Sequence, residues 1–498
     1  MSTALEQHRL YRMTHPDSIA MFGASNNPSS MGTIILRALL AFRYPGKVYP
    51  VHPREKEVQG LKAYSRVGEL PEAPDLAVIV LPTAIVCDTL EECGAKGIRN
   101  AVIVSGGFKE VGPEGAQREK RLVEIADKYG IKIIGPNCLG ITNTHSRINT
   151  TPHSYRGNPG FIGMVSQSGS FVTQMFEYLD QFGLGFSTAF SIGNEANTDL
   201  VDCLEYLGTC PHTKVIALYV EAIRRGREFV ETARKIVPEK PIVALYVGGS
   251  ETGRKAALSH TGSMSGPDAL YDGIFRQSGV IRASSITELF DLCMAFGRLP
   301  LPQGNRVFIQ THSGGPGAVA ADACGRAGLE LPSPSDQTRD ALKDLVPATA
   351  SIKNPIDLTF TKDVMQFFST IPAALLSDPL CDLLMFYFYA PLEMIKRALI
   401  QIGVSKEELD KNLAGVLKSI AQQMKTLITK SKKPVVCFSY HNTSEPAVKA
   451  LFDNDLPFYE GPERAVRTIQ AMTTYMTLKE KIAAQDKAVQ AGQTQASP

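Results

Sequence analysis

His260 stands in the stretch KAALSHTGSMSGP, among small and hydroxylated residues, with no Cys or Asp beside it to complete a metal site. Imidazole changes charge near neutral pH, and one ring nitrogen can act as a nucleophile when a carboxylate holds the other. Small neighbours let the backbone close on whatever faces the ring. The same composition also describes an idle surface turn, and the stretch alone leaves both readings open. A partner carboxylate is available in ALYVEAI, where Glu221 follows an apolar run that reads as a buried strand. Open α/β sheets place functional groups at that end of a strand. Taken singly, Glu221 also fits an ordinary strand-end surface residue.

Three glycine-rich turns add a second kind of chemistry. FGASNNPSSMG, from Phe22 to Gly32, resembles a nucleotide-binding turn without being GxGxxG. At the end of the next run, VYPVHPREK supplies Val51, His52 and Pro53 followed by Arg54 and Lys56, where a NAD site wants an acid. Cations there suit a ligand with a ribose phosphate, such as NADP or coenzyme A. VSQSGSF (Val165 to Phe171) and the stretch beginning THSGGPG at Thr311 each bring free N–H groups to a helix start, where the macrodipole favours an anion. Neither is a Walker A loop, since no GK[ST] follows, and neither is a GxSxG elbow.

These groups need a scaffold, and the hydrophobic pattern provides one. Apolar runs such as IAMF, DLAVIVLP and NAVIVSGG alternate with amphipathic stretches up to about residue 145. That alternation predicts parallel βαβ units and a doubly wound α/β domain over 1–145. It restarts with IGMVSQSGS and gives a second domain over 155–300. After a RLPLPQGN linker a third domain covers 304–475, and the apolar-poor residues 476–498 read as a flexible tail.

Composition narrows the class. The chain has 498 residues, 44% of them hydrophobic and 20% charged, with a formal net charge of +2. That is a protein with several real cores and no basic field for nucleic acid. Its longest apolar runs fall short of the ~20 residues of a membrane span. The N-terminus lacks the apolar segment of a secretory signal. The nine cysteines are scattered singly, which fits reduced thiols and predicts a cytoplasmic protein.

Taken in order, IAMFGAS with VYPVHP, IIGPNCLGI, VSQSGS, YVEAI, ALSHTGSMSG and THSGGPG with KNPIDLT resemble the NDP-forming acyl-CoA synthetases, relatives of succinyl-CoA synthetase. The resemblance covers about residues 10–475. It implies a Rossmann-like CoA-binding domain followed by two flavodoxin-like, succinyl-CoA ligase-like domains. It also implies that His260 is phosphorylated, that Glu221 orients it, and that Ser168, Gly169 and Ser170 together with Gly314, Gly315 and Gly317 bind the phosphate. Coenzyme A is expected at Gly23, Ala24 and Ser25, with further contacts at Arg54, Pro82 and Ser105, and Asn137 and Cys138 near the thioester. Small residues such as Gly262 and Ser263 would let the His260 loop approach two phosphate sites.

Two departures shape the expectation. Too few residues follow 475 for the family's ATP-grasp domains, and no acidic metal-binding pattern stands out. The resemblance therefore implies an α subunit whose ADP and magnesium sit on a separate ATP-grasp β chain, in an α₂β₂ assembly. Arg54 stands where many relatives have lysine, and Ser265 where alanine is common. No cationic cluster marks a dicarboxylate pocket, so a simple acid such as acetate, or a larger aliphatic or aryl acid, is expected over succinate. The competing readings are a CoA-binding or scaffolding protein without catalysis and an NADP-dependent dehydrogenase. The second lacks any evident catalytic Tyr/Lys or His/Asp arrangement.

Overall fold

The apolar runs are short and β-rich, and the stretches between them carry one apolar face. In a computed structural model they become strands and covering helices. It describes residues 3–253, 266–359, 364–389, 396–397, 400–401, 403 and 405–495. The strands form three main sheets.

The first sheet runs Lys47–Val51, Ser18–Phe22, Leu76–Ile79, Asn100–Ile103 and Lys132–Ile134, parallel throughout. Its three inner strands are wholly buried, as a sheet covered on both faces requires. The second runs Ile281–Ala283, Ile242–Tyr246, Val215–Val220, Ile162–Ser166 and Phe186–Ser191 in parallel. An antiparallel hairpin, Gly140–Asn143 and Ile148–Asn149, completes that sheet through Phe190↔Ile141 pairing. The sequence reading that ended the first domain at 145 cuts this hairpin. The strand at 140–143 finds its backbone partners on Phe186–Ser191, so the chain leaves the first sheet before it.

These two sheets lie in one compact unit, Met1–Asp180 with Leu184–Leu289, and a second unit comprises Gln181–Gly183 with Phe290–Pro498. The second unit holds the third sheet, ordered Ile356–Asp357, Val307–Thr311, Leu383–Tyr387, Val435–Ser439 and Phe458–Glu460, all parallel. It begins earlier than the expected residue 304. Arg464 grips Asp291 with Nε at 2.9 Å and Nη2 at 2.8 Å, and the Tyr459 hydroxyl donates to the Asp291 carbonyl at 3.2 Å. The expected flexible tail also differs. One helix runs Pro462–Gln495 through residue 475, with Tyr475 and Ile482 buried. The segment from 476 is rich in Ala, Lys and Gln, good helix formers, and lacks proline until the last residue. Among the described residues no helix is long and apolar enough to cross a membrane.

Candidate active site

In each sheet the chain order reverses beside the first strand, and the crevice beyond the carboxyl ends there is where open α/β sheets bind ligands. In the second sheet the reversal lies between Ile162–Ser166 and Val215–Val220. Gln167 follows the first of these strands and Glu221 the other. The Gln167 Oε1 accepts the amides of Glu221 at 2.5 Å and Ala222 at 3.0 Å, while its Nε2 donates to the Ala222 carbonyl at 2.7 Å. Ser166 Oγ closes the turn, donating to the Ser168 carbonyl at 2.8 Å and accepting its amide at 3.1 Å. This closure carries the chain straight into the helix Gly169–Asp180. Glu221 follows the strand end as the sequence predicted, but it is 5% exposed and not the surface residue its context alone also fits.

Glu195 supports this turn. Gln167 Nε2 donates to its Oε2 at 3.1 Å, the Leu200 amide donates to its Oε1 at 3.0 Å, and Arg224 Nε lies 3.5 Å away. Burial pushes its carboxyl up to about 7, with Arg224 opposing. Arg224 also spans the loop, donating to the carbonyls of Glu195 and Asn194, both at 2.8 Å.

A cleft of about 610 Å³ opens beside this turn. Its lining includes Ser105, Asn137, Cys138, Gln167, Gly169 and Ser170, with Met31, Leu81 and Leu139 supplying apolar walls. Three loops meet there. The Asn137 amide donates to the Ser105 carbonyl at 2.9 Å, and the Asn194 amide to the Pro136 carbonyl at 2.9 Å. Gly193 makes this approach possible: its φ is +55°, and a Cβ would sit 2.4 Å from the carbonyl oxygens of Pro136 and Asn137. Asn194 Nδ2 donates to Glu110 Oε2 at 2.6 Å and to Glu119 Oε2 at 2.8 Å. Burial pushes the Glu110 carboxyl up, but Asn194 and the backbone amides of Gly107 and Phe108 outweigh it and hold the group below its usual value.

Cys138 is 2% exposed, and its Sγ donates to the Ile103 carbonyl at 3.3 Å. Burial pushes its thiol up to about 12, so it lines the cleft as a neutral group and not as a thiolate.

The remaining expected coenzyme positions surround the reversal point of the first sheet. Gly23 has φ +84°, and a Cβ there would meet the Val80 carbonyl oxygen at 2.0 Å. Only glycine lets the two strand ends come this close. Thr33 Oγ1 locks the turn, taking the Ser25 amide at 2.9 Å and donating to its carbonyl at 2.8 Å. Ser105 Oγ bridges to Leu81, accepting its amide at 3.0 Å and donating to its carbonyl at 2.6 Å. Pro82 caps the helix Thr83–Lys96. Arg54 is exposed, beside Glu55, whose Oε2 accepts the Asn26 amide at 3.0 Å. A Gly-built turn and an exposed cation fit a phosphorylated ligand such as coenzyme A. Gly23, Ala24, Ser25, Arg54, Pro82 and Ser168 do not line the cleft themselves.

The second unit repeats the closed turn. Thr311 Oγ1 donates to the Ser313 carbonyl at 2.9 Å and accepts its amide at 3.0 Å, opening the helix Gly314–Arg326. Gly314 and Gly315 are exposed at its start, and Gly317 is buried against Thr311. His260, with Gly262, Ser263 and Ser265, lies outside the described residues. Among the described residues no group of three His, Cys, Asp or Glu is placed to hold a metal ion. Sequence reasoning passed over Glu110, Asn194, Glu195 and Arg224, and it quoted Gln167 without giving it a role. They meet only through the fold, Glu110 and Asn194 being 84 positions apart.

Residues 17–144 match the CoA binding domain, and residues 159–296 match the succinyl-CoA ligase like flavodoxin domain. The chain is 40% identical over 460 residues to the α subunit of acetate–CoA ligase [ADP-forming] II of Pyrococcus furiosus, covering 92% of this chain and 96% of that one. It is 36% identical to the isoform I α subunit of the same organism, over 95% of this chain and 99% of that one. It also superimposes on a dinucleotide forming acetyl-coenzyme A synthetase 1 of Ca. Korarchaeum cryptofilum, solved with phosphate and ADP. That match has a TM-score of 0.85 and 32% identity over 96% of this chain and 98% of the other. A chain with this cleft, these turns and these relatives belongs to the ADP-forming acyl-CoA ligases, as an α subunit.

Proposed function

We propose that the chain, paired with an ATP-grasp β subunit, interconverts acyl-CoA, phosphate and ADP with a carboxylic acid, coenzyme A and ATP. The observation that carries the reading is the cleft, which brings Ser105, Asn137 and Cys138 onto one lining with the helix start at Gly169 and Ser170. Coenzyme A lies along the Gly23–Ser25 turn with Arg54, Pro82 and Ser105 as contacts, and its thioester reaches Asn137 and Cys138. A phosphate oxygen attacks the acyl carbon, the C–S bond breaks, and coenzyme A leaves as its thiolate to give an acyl phosphate. A His260 nitrogen then attacks phosphorus, the P–O bond to the acyl group breaks, and the carboxylate departs. Glu221 accepts the hydrogen on the other ring nitrogen and compensates the charge of the phosphorylated ring. Ser168, Gly169 and Ser170, and in the second unit Gly314, Gly315 and Gly317, supply N–H groups and hydroxyls to phosphate oxygens. ADP, with Mg²⁺ on the partner, takes the phosphoryl group from His260.

The assembly is α₂β₂ and cytoplasmic in this reading. The nine cysteines, all free and buried, support a reducing compartment. The test is reconstitution with a purified ATP-grasp β chain. ATP should form from acyl-CoA, phosphate and ADP only when both chains are present. Coenzyme A binding without ATP formation across a panel of acyl-CoAs would leave a binding protein instead.

A further inference from the structure

The neighbours of Asn194 dictate which way its side-chain amide points. Its Nδ2 donates to Glu110 Oε2 at 2.6 Å and to Glu119 Oε2 at 2.8 Å, and a carboxylate only accepts. Glu110 Oε1 takes the Gly107 amide at 2.5 Å and the Phe108 amide at 3.1 Å, while Glu119 pairs with Lys109 Nζ at 3.3 Å. The Asn194 nitrogen must therefore face the acids, and its Oδ1 faces the other way. There it accepts from Asn137 Nδ2 at 3.4 Å. One carboxamide thus fixes the next. Asn137 turns nitrogen toward Asn194, and its second N–H is left for the cleft that it lines, with no other hydrogen bond from Nδ2 among the described residues.

The backbone and the neighbouring helix suit this donor to a ligand. Asn137 has φ +56°, in the left-handed region that glycine adopts freely and that Asn enters more readily than most residues. Glycine would fit there with less strain but would bring no carboxamide to the cleft. Asn194 is 3% exposed, so the anchor is buried while Asn137 stays half-buried at the wall. The helix start at Gly169 adjoins the same loop. A Cβ on Gly169 would stand 3.7 Å from Leu139 Cγ, two residues past Asn137. A phosphate held at that helix start would meet an acyl carbon whose oxygen lies against Asn137.

We propose that Asn137 is the oxyanion donor of the acyl step, and that Asn194 and Glu110 are the positioning residues that aim it. This rests on the proposed function for the acyl step itself. As a phosphate oxygen bonds to the acyl carbon, the C=O electron pair moves onto oxygen, and the Asn137 N–H meets the growing charge. The pair then returns, the C–S bond breaks, and coenzyme A leaves as its thiolate. Asn137 keeps its proton throughout, and Asn194 and Glu110 act only through it.

The test reads the thioester carbonyl directly. Acetyl-CoA, isotope-labelled at its carbonyl carbon, is bound to the full chain and its carbonyl stretch recorded by infrared difference spectroscopy. The wild type should shift the band to lower frequency than in free acetyl-CoA. Asn137→Gly, which suits the backbone, should lose the shift, and Asn194→Ala should lose most of it. Glu110→Gln is isosteric, but its NH2 must face either the Asn194 N–H or two backbone N–H groups, so the shift should weaken there too. In the enzyme reconstituted with an ATP-grasp partner, phosphorylation of the chain from acetyl-CoA and phosphate should slow on the order of a hundredfold in Asn137→Gly. It should slow roughly tenfold in Asn194→Ala and Glu110→Gln, with the KM for acetyl-CoA little changed. Phosphorylation of the same chain from ATP does not pass through the thioester and should be far less affected in those two variants. Equal slowing from both directions would show a merely structural role and overturn the proposal, as would a wild-type band that does not shift. If Asn194→Ala does not fold, the Glu110 and Asn137 variants decide. Wild-type phosphorylation from both directions with an unshifted band would sink the donor and spare the proposed function. A band that shifts and responds to the variants, with no phosphorylation of the wild type, would do the reverse.

Discussion

Gln167 ties two acidic segments together: its Nε2 donates to Glu195 Oε2 at 3.1 Å while its Oε1 accepts the Glu221 amide at 2.5 Å. The strand end that carries Glu221 is thus held from the neighbouring strand, and the amide is held in turn by a buried carboxyl. Gln167→Leu keeps much of the volume and strips the Glu221 and Ala222 amides of their acceptor. Unmatched buried donors cost about 1–3 kcal/mol each. One such penalty felt at the transition state lowers the rate of protein phosphorylation from acyl-CoA and phosphate roughly 5- to 150-fold. Coenzyme A affinity, measured in parallel, should move far less.

Glu195 gives the stability of this unit a pH dependence. Burial raises its folded-state value to about 7, above the ordinary carboxylate value of 4.5 that the unfolded chain keeps. Its contribution is therefore fully present below the unfolded value and is lost as pH rises through about 7. Melting of the wild type should decline between pH 5 and 8 more steeply than that of Glu195→Gln, which cannot ionise. Parallel curves for the two proteins would show that Glu195 titrates normally.

Cys138 lines the cleft without being reactive. With its thiol pushed up to about 12, iodoacetamide at pH 8 should leave it unmodified in the folded chain and label it only after unfolding. Cys138→Ser should keep turnover within a few-fold of wild type, measured as ATP formed by the reconstituted enzyme. A loss of a thousandfold would make the sulfur a participant.

Gly193→Ala tests how the cleft floor is built. The added Cβ would meet two carbonyl oxygens at 2.4 Å at a positive φ. Stability should drop by at least about 1 kcal/mol, and coenzyme A binding should weaken with it. Thermal melting and calorimetry read the two effects separately.

Much of this was legible from the residues. The apolar runs gave the sheets because fully buried parallel strands need no alternation, and Glu221 sat at a strand end as its context implied. Gly23 was legible because the backbones of two strand ends meet there. The hairpin at 140–149 was not, since an antiparallel edge strand carries no mark of which sheet it joins. Nor were Glu110, Asn194, Glu195 and Arg224. Each is a polar residue outside the strands and long helices, and the packing of the segments around Pro136 and Asn137 brings them to their distant partners. The long C-terminal helix misled for a related reason, because polar helix formers with few apolar positions read as easily as a tail.

The central claim is that this α subunit carries its phosphoryl group on His260. The direct measurement is protein-bound label after incubation with radioactive phosphate and acyl-CoA, in the wild type beside His260→Asn, with the ATP-grasp partner present. Acid-labile, base-stable label on this chain in the wild type alone, discharged by ADP into ATP, is the predicted result. Equal label on the His260→Asn chain, or turnover to ATP with no label on either, would contradict it.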